Sequence, residues 1–132
     1  MRVREVMASD VTVVAPGTTV DAAAQIMADL DIDALPVGET EGALAGIITG
    51  RDILLRVVAP RRDPRTTRVA EAMSTNPLCC AAEDDAEDVL REMERRQVRR
   101  MPVLDGDGRI VGLVTREALQ QAEPRMAAPR QG

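Results

Sequence analysis

The residues that could take part in chemistry are restricted in kind. The 132-residue sequence contains no His, Trp, Tyr or Phe, and its 17 basic residues are all Arg. This composition excludes histidine acid–base chemistry, histidine metal ligands and aromatic platforms for nucleic-acid bases. The absence of Lys also excludes Schiff-base chemistry and the P-loop type of phosphate site. We therefore expect no catalytic residue and no metal site, and an enzyme is the least favoured class of function.

Carboxylates and thiols are present, but each has a simple structural explanation. The acidic residues at 83–88 fall at the start of a predicted helix, where the helix dipole stabilises negative charge. The run Asp105-Gly106-Asp107-Gly108 is typical of a hairpin turn and lacks the Glu of a calcium-binding EF-hand loop. Cys79 and Cys80 are adjacent, which disfavours a mutual disulfide, so we predict that both are small buried side chains.

Length and composition indicate one soluble globular domain. A chain of 132 residues with 45% hydrophobic and 30% charged residues can bury a core without disulfides or a structural metal. The sequence shows neither a membrane-spanning run nor a signal peptide, so we expect a cytoplasmic protein with no membrane partner. The net charge of -5 makes nucleic acid an unfavourable partner, although local Arg clusters could bind smaller anions.

An internal repeat sets the architecture. A shift of 66 residues aligns the two halves without a gap. Identical pairs at this offset include Val3 and Val69, Glu5 and Glu71, Met7 and Met73, Met27 and Met93, Pro36 and Pro102, Val37 and Val103, Gly42 and Gly108, Gly46 and Gly112, and Thr49 and Thr115. Hydrophobic periodicity predicts the order strand, helix, strand, strand, helix in both halves. The predicted elements cover residues 11–14, 20–30, 34–37, 43–48 and 50–58, then 78–81, 84–96, 101–104 and 109–114, with a last helix from about Thr115.

Three short motifs recur in this order in both halves: Val-x-Glu-x-Met, a hydrophobic-Pro-Val strand, and Gly-hydrophobic-hydrophobic-Thr before the last helix. Together they resemble the CBS domain family, and in particular its stand-alone two-domain proteins in actinobacteria, including the hypoxic-response type. The resemblance implies an α/β (α+β) fold, a tandem CBS-domain pair of two βαββα units packed by pseudo-twofold symmetry. We predict a first domain at residues 1–58, a linker at 59–67, a second domain at 68–121 and a flexible C-terminal tail at 122–132.

The resemblance also implies a function. CBS pairs are non-catalytic regulatory modules that bind an adenine nucleotide of the AMP, ADP or ATP type, or S-adenosylmethionine, in clefts between the units. No cofactor is required, and the expected partners are the adenosine-containing ligand, a second copy in a homodimer and an unidentified protein. The alternative is a structural or interaction dimer whose ligand clefts are vestigial. Loss of a site residue in the second half and the lack of an attached effector domain favour this alternative.

By resemblance, Thr49 and Asp52 of the Gly-h-h-Thr-x-x-Asp motif contact phosphate and ribose, and Arg51 adds positive charge. A helix N-terminus stabilises phosphate, and a carboxylate can accept hydrogen bonds from a ribose diol. The same Thr-x-x-Asp pattern also predicts a helix capping box, which requires no ligand. In the second half Thr115 is retained but Ala118 replaces the Asp. We therefore predict unequal sites, with tighter binding where Asp52 contributes.

The remaining candidate residues are assigned by position. Arg99 and Arg100 stand where some family members face ligand phosphates, and a guanidinium fork suits that role. The alternative is that they form a solvated helix end together with Arg95 and Arg96. Without aromatic residues, the base must pack between aliphatic side chains, for which the candidates are Ala34, Leu35, Pro36, Met101 and Pro102. These same residues are also expected in the strand core.

Overall fold

Helices and strands alternate in both halves of the chain, of which the computed structural model describes residues 1–126. The helices are α1 (Val20–Leu30), α2 (Gly50–Ile53), α3 (Val69–Ala72), α4 (Ala86–Arg96) and α5 (Arg116–Met126). A π-helical turn (Leu54–Val58) continues α2, and a 3-10 turn covers Val3–Glu5. The strands are β1 (Ala34–Gly38), β2 (Leu44–Thr49), β3 (Ser74–Thr75), β4 (Cys80–Ala81), β5 (Arg100–Leu104) and β6 (Ile110–Thr115).

The long helices α1 and α4 begin and end in the same way. Thr19 and Asp85 cap them, since each side chain accepts a hydrogen bond from the backbone N–H three residues further on. Asp31 and Gln97 end them in the left-handed conformation, each with φ of 54°. A left-handed residue after the last turn lets its own N–H satisfy a helix carbonyl. The predicted helices at these two places are confirmed, and their caps repeat at the 66-residue offset.

Each half contains a sheet built on one hairpin. β1 pairs antiparallel with β2, and β5 pairs antiparallel with β6, with a register shift after Val37 and Val103. β3 adds antiparallel to β2, whereas β4 adds parallel to β5. Isolated bridges between Ala8 and Leu113 and between Val14 and Val37 occupy the remaining edges. Both sheets therefore follow one plan, in which a strand in one half corresponds to a bridge in the other.

The compact units do not coincide with the sequence repeats. Within the described residues, the first unit is residues 12–77, and the second joins residues 1–11 to residues 78–126. Each Val-x-Glu-x-Met segment packs with the body of the other repeat. Val69 is fully buried in the core of the first unit, and Val3 is fully buried in the core of the second. We call residues 1–8 and 68–75 the exchanged segments, because each completes a core that the other repeat begins.

The glutamates of the repeated motif hold the exchanged segments in shape. A carboxylate oxygen of Glu5 accepts a hydrogen bond of 2.6 Å from the backbone N–H of Arg2, and Glu71 accepts one of 2.7 Å from Arg68. These backbone hydrogen bonds are the main reason that the pKa of both carboxyl groups is lowered. Each glutamate therefore stabilises the first turn of a short helix.

Several sequence predictions need correction. The predicted strand at residues 11–14 is reduced to Val14 alone, which forms one bridge to Val37. Helix α5 continues to Met126 and buries Ala122, so residues 122–126 are helical where we predicted a flexible tail; residues 127–132 of that predicted tail lie outside the described part of the chain. Within residues 1–126, no helix is long and apolar enough to cross a bilayer.

The cysteine prediction is also corrected in part. Cys80 is buried, but Cys79 is exposed. Successive side chains of an extended chain point to opposite faces, so only one of two adjacent residues can face the core.

Candidate functional site

The predicted Thr49 and Asp52 form a reciprocal capping box at the start of α2. The Asp52 backbone N–H donates to the Thr49 hydroxyl at 3.1 Å, and the Thr49 backbone N–H donates to Asp52 Oδ2 at 2.9 Å. Such a box satisfies two backbone donors that a helix start would leave unpaired. The capping role predicted as the alternative is therefore confirmed, and it leaves the second carboxylate oxygen, Oδ1, for another partner.

That partner is Ser74 of the exchanged segment. Its hydroxyl donates to Asp52 Oδ1 at 3.0 Å. Asp52 is only 9% exposed and is one of the few polar residues buried within residues 1–126. A buried carboxylate is stabilised only when hydrogen bonds replace its hydration. The neighbouring Arg51 is exposed. The hydrogen bonds to the Asp52 carboxylate come from the Thr49 backbone and the Ser74 hydroxyl.

The equivalent position in the second unit lines an open cleft. Thr115 caps α5, because its hydroxyl accepts from the Ala118 backbone N–H at 3.0 Å. Thr115 borders a cleft of about 250 Å³ whose other lining residues are Arg99, Arg100, Arg116, Glu117 and Gln120. Three guanidinium groups thus line one cleft beside a helix N-terminus. This arrangement can attract an anion.

The alternative for these arginines is a solvated helix end shared with Arg95 and Arg96. Arg95 and Arg96 lie in the last turn of α4 and both form ion pairs with Glu92. Arg99 precedes β5, lines the cleft and has no ion-pair partner among the described residues. Arg99 and Arg100 line the cleft of Thr115, and Arg99 also lies beside Glu94 and Gln97 at the end of α4. Both interpretations of these arginines therefore stay predictions.

The residues predicted to hold a base are core residues in the structure. Ala34, Leu35 and Pro36 lie in β1 and are buried, and so are Met101 and Pro102 in β5. The core role expected for them is confirmed. Their contact with a ligand stays a prediction, and it requires the backbone of β1 or β5 rather than an exposed side chain.

Two residues of these surroundings were missed by the sequence analysis. Ser74 lies in a two-residue strand that no periodicity predicts. Arg116 lines the cleft directly after Thr115, but it is not part of the repeated motif. The signal for Ser74 was nevertheless present. At the 66-residue offset Asp52 corresponds to Ala118, and Ser74 corresponds to Ala8, so both partners change together.

Comparisons with known proteins identify related sequences and structures. Hypoxic response protein 1 of Mycobacterium tuberculosis is 36% identical over 124 residues, which cover 94% of this chain and 86% of that protein. The crystal structure of Hypoxic Response Protein I with two coordinated zinc ions has a TM-score of 0.80 at 34% identity and covers 98% of this chain and 100% of that one. Among residues 1–126 here, no group of three or more Cys, Asp or Glu residues could hold a metal ion.

A second solved structure contains a nucleotide. CBSX2 in complex with AMP has a TM-score of 0.82 at 26% identity, and the match covers 96% of this chain and 98% of that one. The family model for the CBS domain matches the present sequence twice, over residues 3–59 and 69–124. Since these two matches cover both repeats and most of the chain, the protein belongs to the CBS domain family and carries two CBS domains in tandem.

Proposed function

We propose that this protein is a non-catalytic regulatory module that binds an adenine nucleotide and signals through its conformation or through the geometry of a homodimer. The AMP complex of the related CBSX2 supports a nucleotide of the AMP, ADP or ATP type, with S-adenosylmethionine as a further candidate. No cofactor is required, and an unidentified protein is the expected reader of the signal. The protein acts in the cytoplasm.

The observation that carries the proposal is the cleft beside Thr115. Its three arginines supply permanent positive charge, because a guanidinium does not lose its proton in proteins. Among the described residues that line the same cleft, Glu117 is the acidic one. The balance of charge is therefore positive in a protein whose net charge is -5. A phosphate group is the anion that a nucleotide presents to such a cleft.

The two repeats contribute different chemistry to binding. The first retains Asp52, which can accept from a ribose hydroxyl, and Arg51 beside it adds positive charge. The second retains the arginines and Thr115 but has Ala118, which cannot accept a hydrogen bond through its side chain. We propose that sites supplied by Asp52 bind a nucleoside more tightly than sites that lack it. Strand backbone at Ala34, Leu35 and Pro36, or at Met101 and Pro102, reads the base.

Thermal-shift screening followed by calorimetry tests the proposal. A ligand that binds only the native state raises its melting temperature, so AMP, ADP, ATP, NAD and S-adenosylmethionine are each added at millimolar concentration. We expect a shift with at least one of them. The variant Arg99→Gln should weaken binding of that ligand about tenfold, as expected for loss of a hydrogen bond to a charged group. Arg91→Gln is the matched control, since Arg91 lies on α4, where it pairs with Glu87 and Asp88.

One observation favours the second candidate, a structural or interaction module with vestigial clefts. Leu54, Leu55 and Val58 follow α2 on the π-helical turn, and each is more than half exposed. Clustered exposed apolar side chains mark surfaces that contact other proteins. No thermal shift with any of the five ligands, together with a stable dimer, would select this candidate over nucleotide sensing.

A further inference from the structure

The hydrogen bond between Ser74 and Asp52 joins two segments of the first unit that are distant in sequence. Asp52 belongs to α2 of the first repeat, whereas Ser74 lies in the exchanged segment that opens the second repeat. Ser74 reaches the carboxylate because β3 pairs with β2, placing Ser74 opposite Ile47. Gly46 permits this approach, because a Cβ at that position would come within 2.5 Å of the Ser74 carbonyl oxygen.

The second unit preserves the backbone of this arrangement without its polar atoms. Ala8 of the other exchanged segment bridges Leu113, which corresponds to the pairing of Ser74 with Ile47 at the 66-residue offset. Ala118 occupies the place of Asp52 and donates its backbone N–H to Thr115, as Asp52 does to Thr49. Both partners of the hydrogen bond are thus Ala in the second unit. The Ser and the Asp therefore occur together in the first unit, and both are absent from the second.

We propose that Ser74 is a positioning residue for Asp52, whose hydrogen bond holds the carboxylate in the orientation that accepts from a ribose diol. This inference rests on the proposed nucleotide-binding function and adds Ser74 to the residues on which ribose selectivity depends. Ser74 supports no chemical step; it acts through the orientation of the carboxylate.

The geometry explains why the Ser74 hydroxyl affects the orientation of the Asp52 carboxylate. Asp52 Oδ2 is fixed by the Thr49 backbone and Oδ1 by Ser74, so the carboxylate plane is held from both sides. Each carboxylate oxygen retains a lone pair for a further donor. Two acceptors side by side suit two neighbouring hydroxyl donors. A 2′-deoxyribose offers one donor fewer and therefore forms one hydrogen bond fewer with the Asp52 carboxylate.

The experiment compares AMP with 2′-deoxy-AMP by isothermal titration. Wild-type protein should prefer AMP. In Ser74→Ala the affinity for AMP should fall about 3- to 10-fold, the range expected for one hydrogen bond, with a smaller loss for 2′-deoxy-AMP, so that the preference shrinks. Ser74→Thr retains the hydroxyl and should restore the preference. In the Asp52→Ala background, Ser74→Ala should have no further effect on either ligand.

Introducing the Asp and Ser side chains at the corresponding positions of the second unit tests the inference independently. Ala118→Asp together with Ala8→Ser should strengthen AMP binding at a second site, and Ala118→Asp alone should do so less. An unchanged ratio of AMP to 2′-deoxy-AMP affinity in folded Ser74→Ala would show that Ser74 is only structural and would overturn the inference while leaving nucleotide binding intact. Failure of the wild-type protein to bind either nucleotide would instead refute the proposed function itself, and the inference with it.

Discussion

At the scale of single residues, the two neighbouring cysteines differ in reactivity because they differ in burial. Burial raises the pKa of the Cys80 thiol to about 12, and the nearby Asp84 and Cys79 add to the effect. The Cys80 thiol also lies 3.8 Å from the Pro102 carbonyl oxygen, to which it can donate. Cys79 is exposed. Since the thiolate is the reactive form, only Cys79 should behave as a nucleophile at neutral pH.

Titration with Ellman's reagent measures this difference. At pH 8 the folded protein should release one equivalent of thionitrobenzoate rapidly and the second only after unfolding in urea, since a group with a raised pKa stays protonated well above pH 8. The variant Cys79→Ser should abolish the rapid phase, whereas Cys80→Ser should retain it. Two rapid equivalents in the folded wild-type protein would contradict the burial of Cys80.

The site residues were predictable from the sequence to the extent that they act locally. Thr49 and Asp52 are three residues apart, so their capping box follows from the sequence pattern alone. The contact from Ser74 crosses 22 residues, and it depends on how the exchanged segment pairs with β2. No local pattern contains that information. Only the joint change to Ala8 and Ala118 at the repeat offset indicates it.

At the scale of elements, the repeated Gly-hydrophobic-hydrophobic-Thr motif requires glycine because an exchanged segment crosses β2 and β6 there. A Cβ on Gly46 would lie 2.5 Å from the Ser74 carbonyl oxygen. A Cβ on Gly112 would lie 2.5 Å from the Met7 sulfur and 2.9 Å from the Ala8 carbonyl oxygen. A methionine sulfur can move aside, whereas the backbone of a paired strand must shift.

Gly46→Ala should therefore lower the free energy of unfolding by about 1–3 kcal/mol, the usual cost of overpacking, and Gly112→Ala should cost less. Urea denaturation monitored by circular dichroism measures both. Gly106→Ala is the matched control, since no atom lies within 4 Å of a Cβ at that position, and its stability should stay close to wild type. Equal stability of Gly46→Ala and Gly106→Ala would mean that the exchanged segment does not approach β2 so closely.

Elements were predictable where the hydrophobic period is long enough to be distinctive. The helices α1 and α4 and both hairpins follow from periodicity and turn residues, and the structure confirms them. The strand expected at residues 11–14 was wrong in extent, because β-branched residues favour a strand only where a partner edge extends alongside, and here only Val14 finds one. The short helix α3 and strand β3 carry too few residues to show any period.

At the scale of the whole molecule, the repeat in sequence and the unit in space are different divisions of the chain. The sequence predicts a boundary near residues 59–67, yet the first compact unit extends to Pro77 and the second begins again at Met1. A cut between the repeats would therefore separate Val69 from the core of the first unit and Val3 from the core of the second unit. Each core therefore contains residues from both sequence repeats.

The expected homodimer can be tested on the face formed by Leu54, Leu55 and Val58. The positions that correspond to the first two in the second repeat are Gln120 and Gln121, so the last helical segment is apolar and exposed in one repeat and polar in the other. A twofold axis places the same patch of both copies in contact. Apolar surface is then buried against apolar surface if the first repeats of the two copies meet.

Leu54→Glu with Leu55→Glu should convert the dimer to a monomer, because each copy would place two carboxylates against those of its partner, and buried like charges are strongly unfavourable. Sedimentation equilibrium gives the mass, and circular dichroism verifies that the variant is folded. Gln120→Glu with Gln121→Glu adds the same charge to the corresponding face of the second repeat and should leave the dimer intact. If the glutamine variant dissociates while the leucine variant stays dimeric, the interface is formed by the second repeats and not by the first.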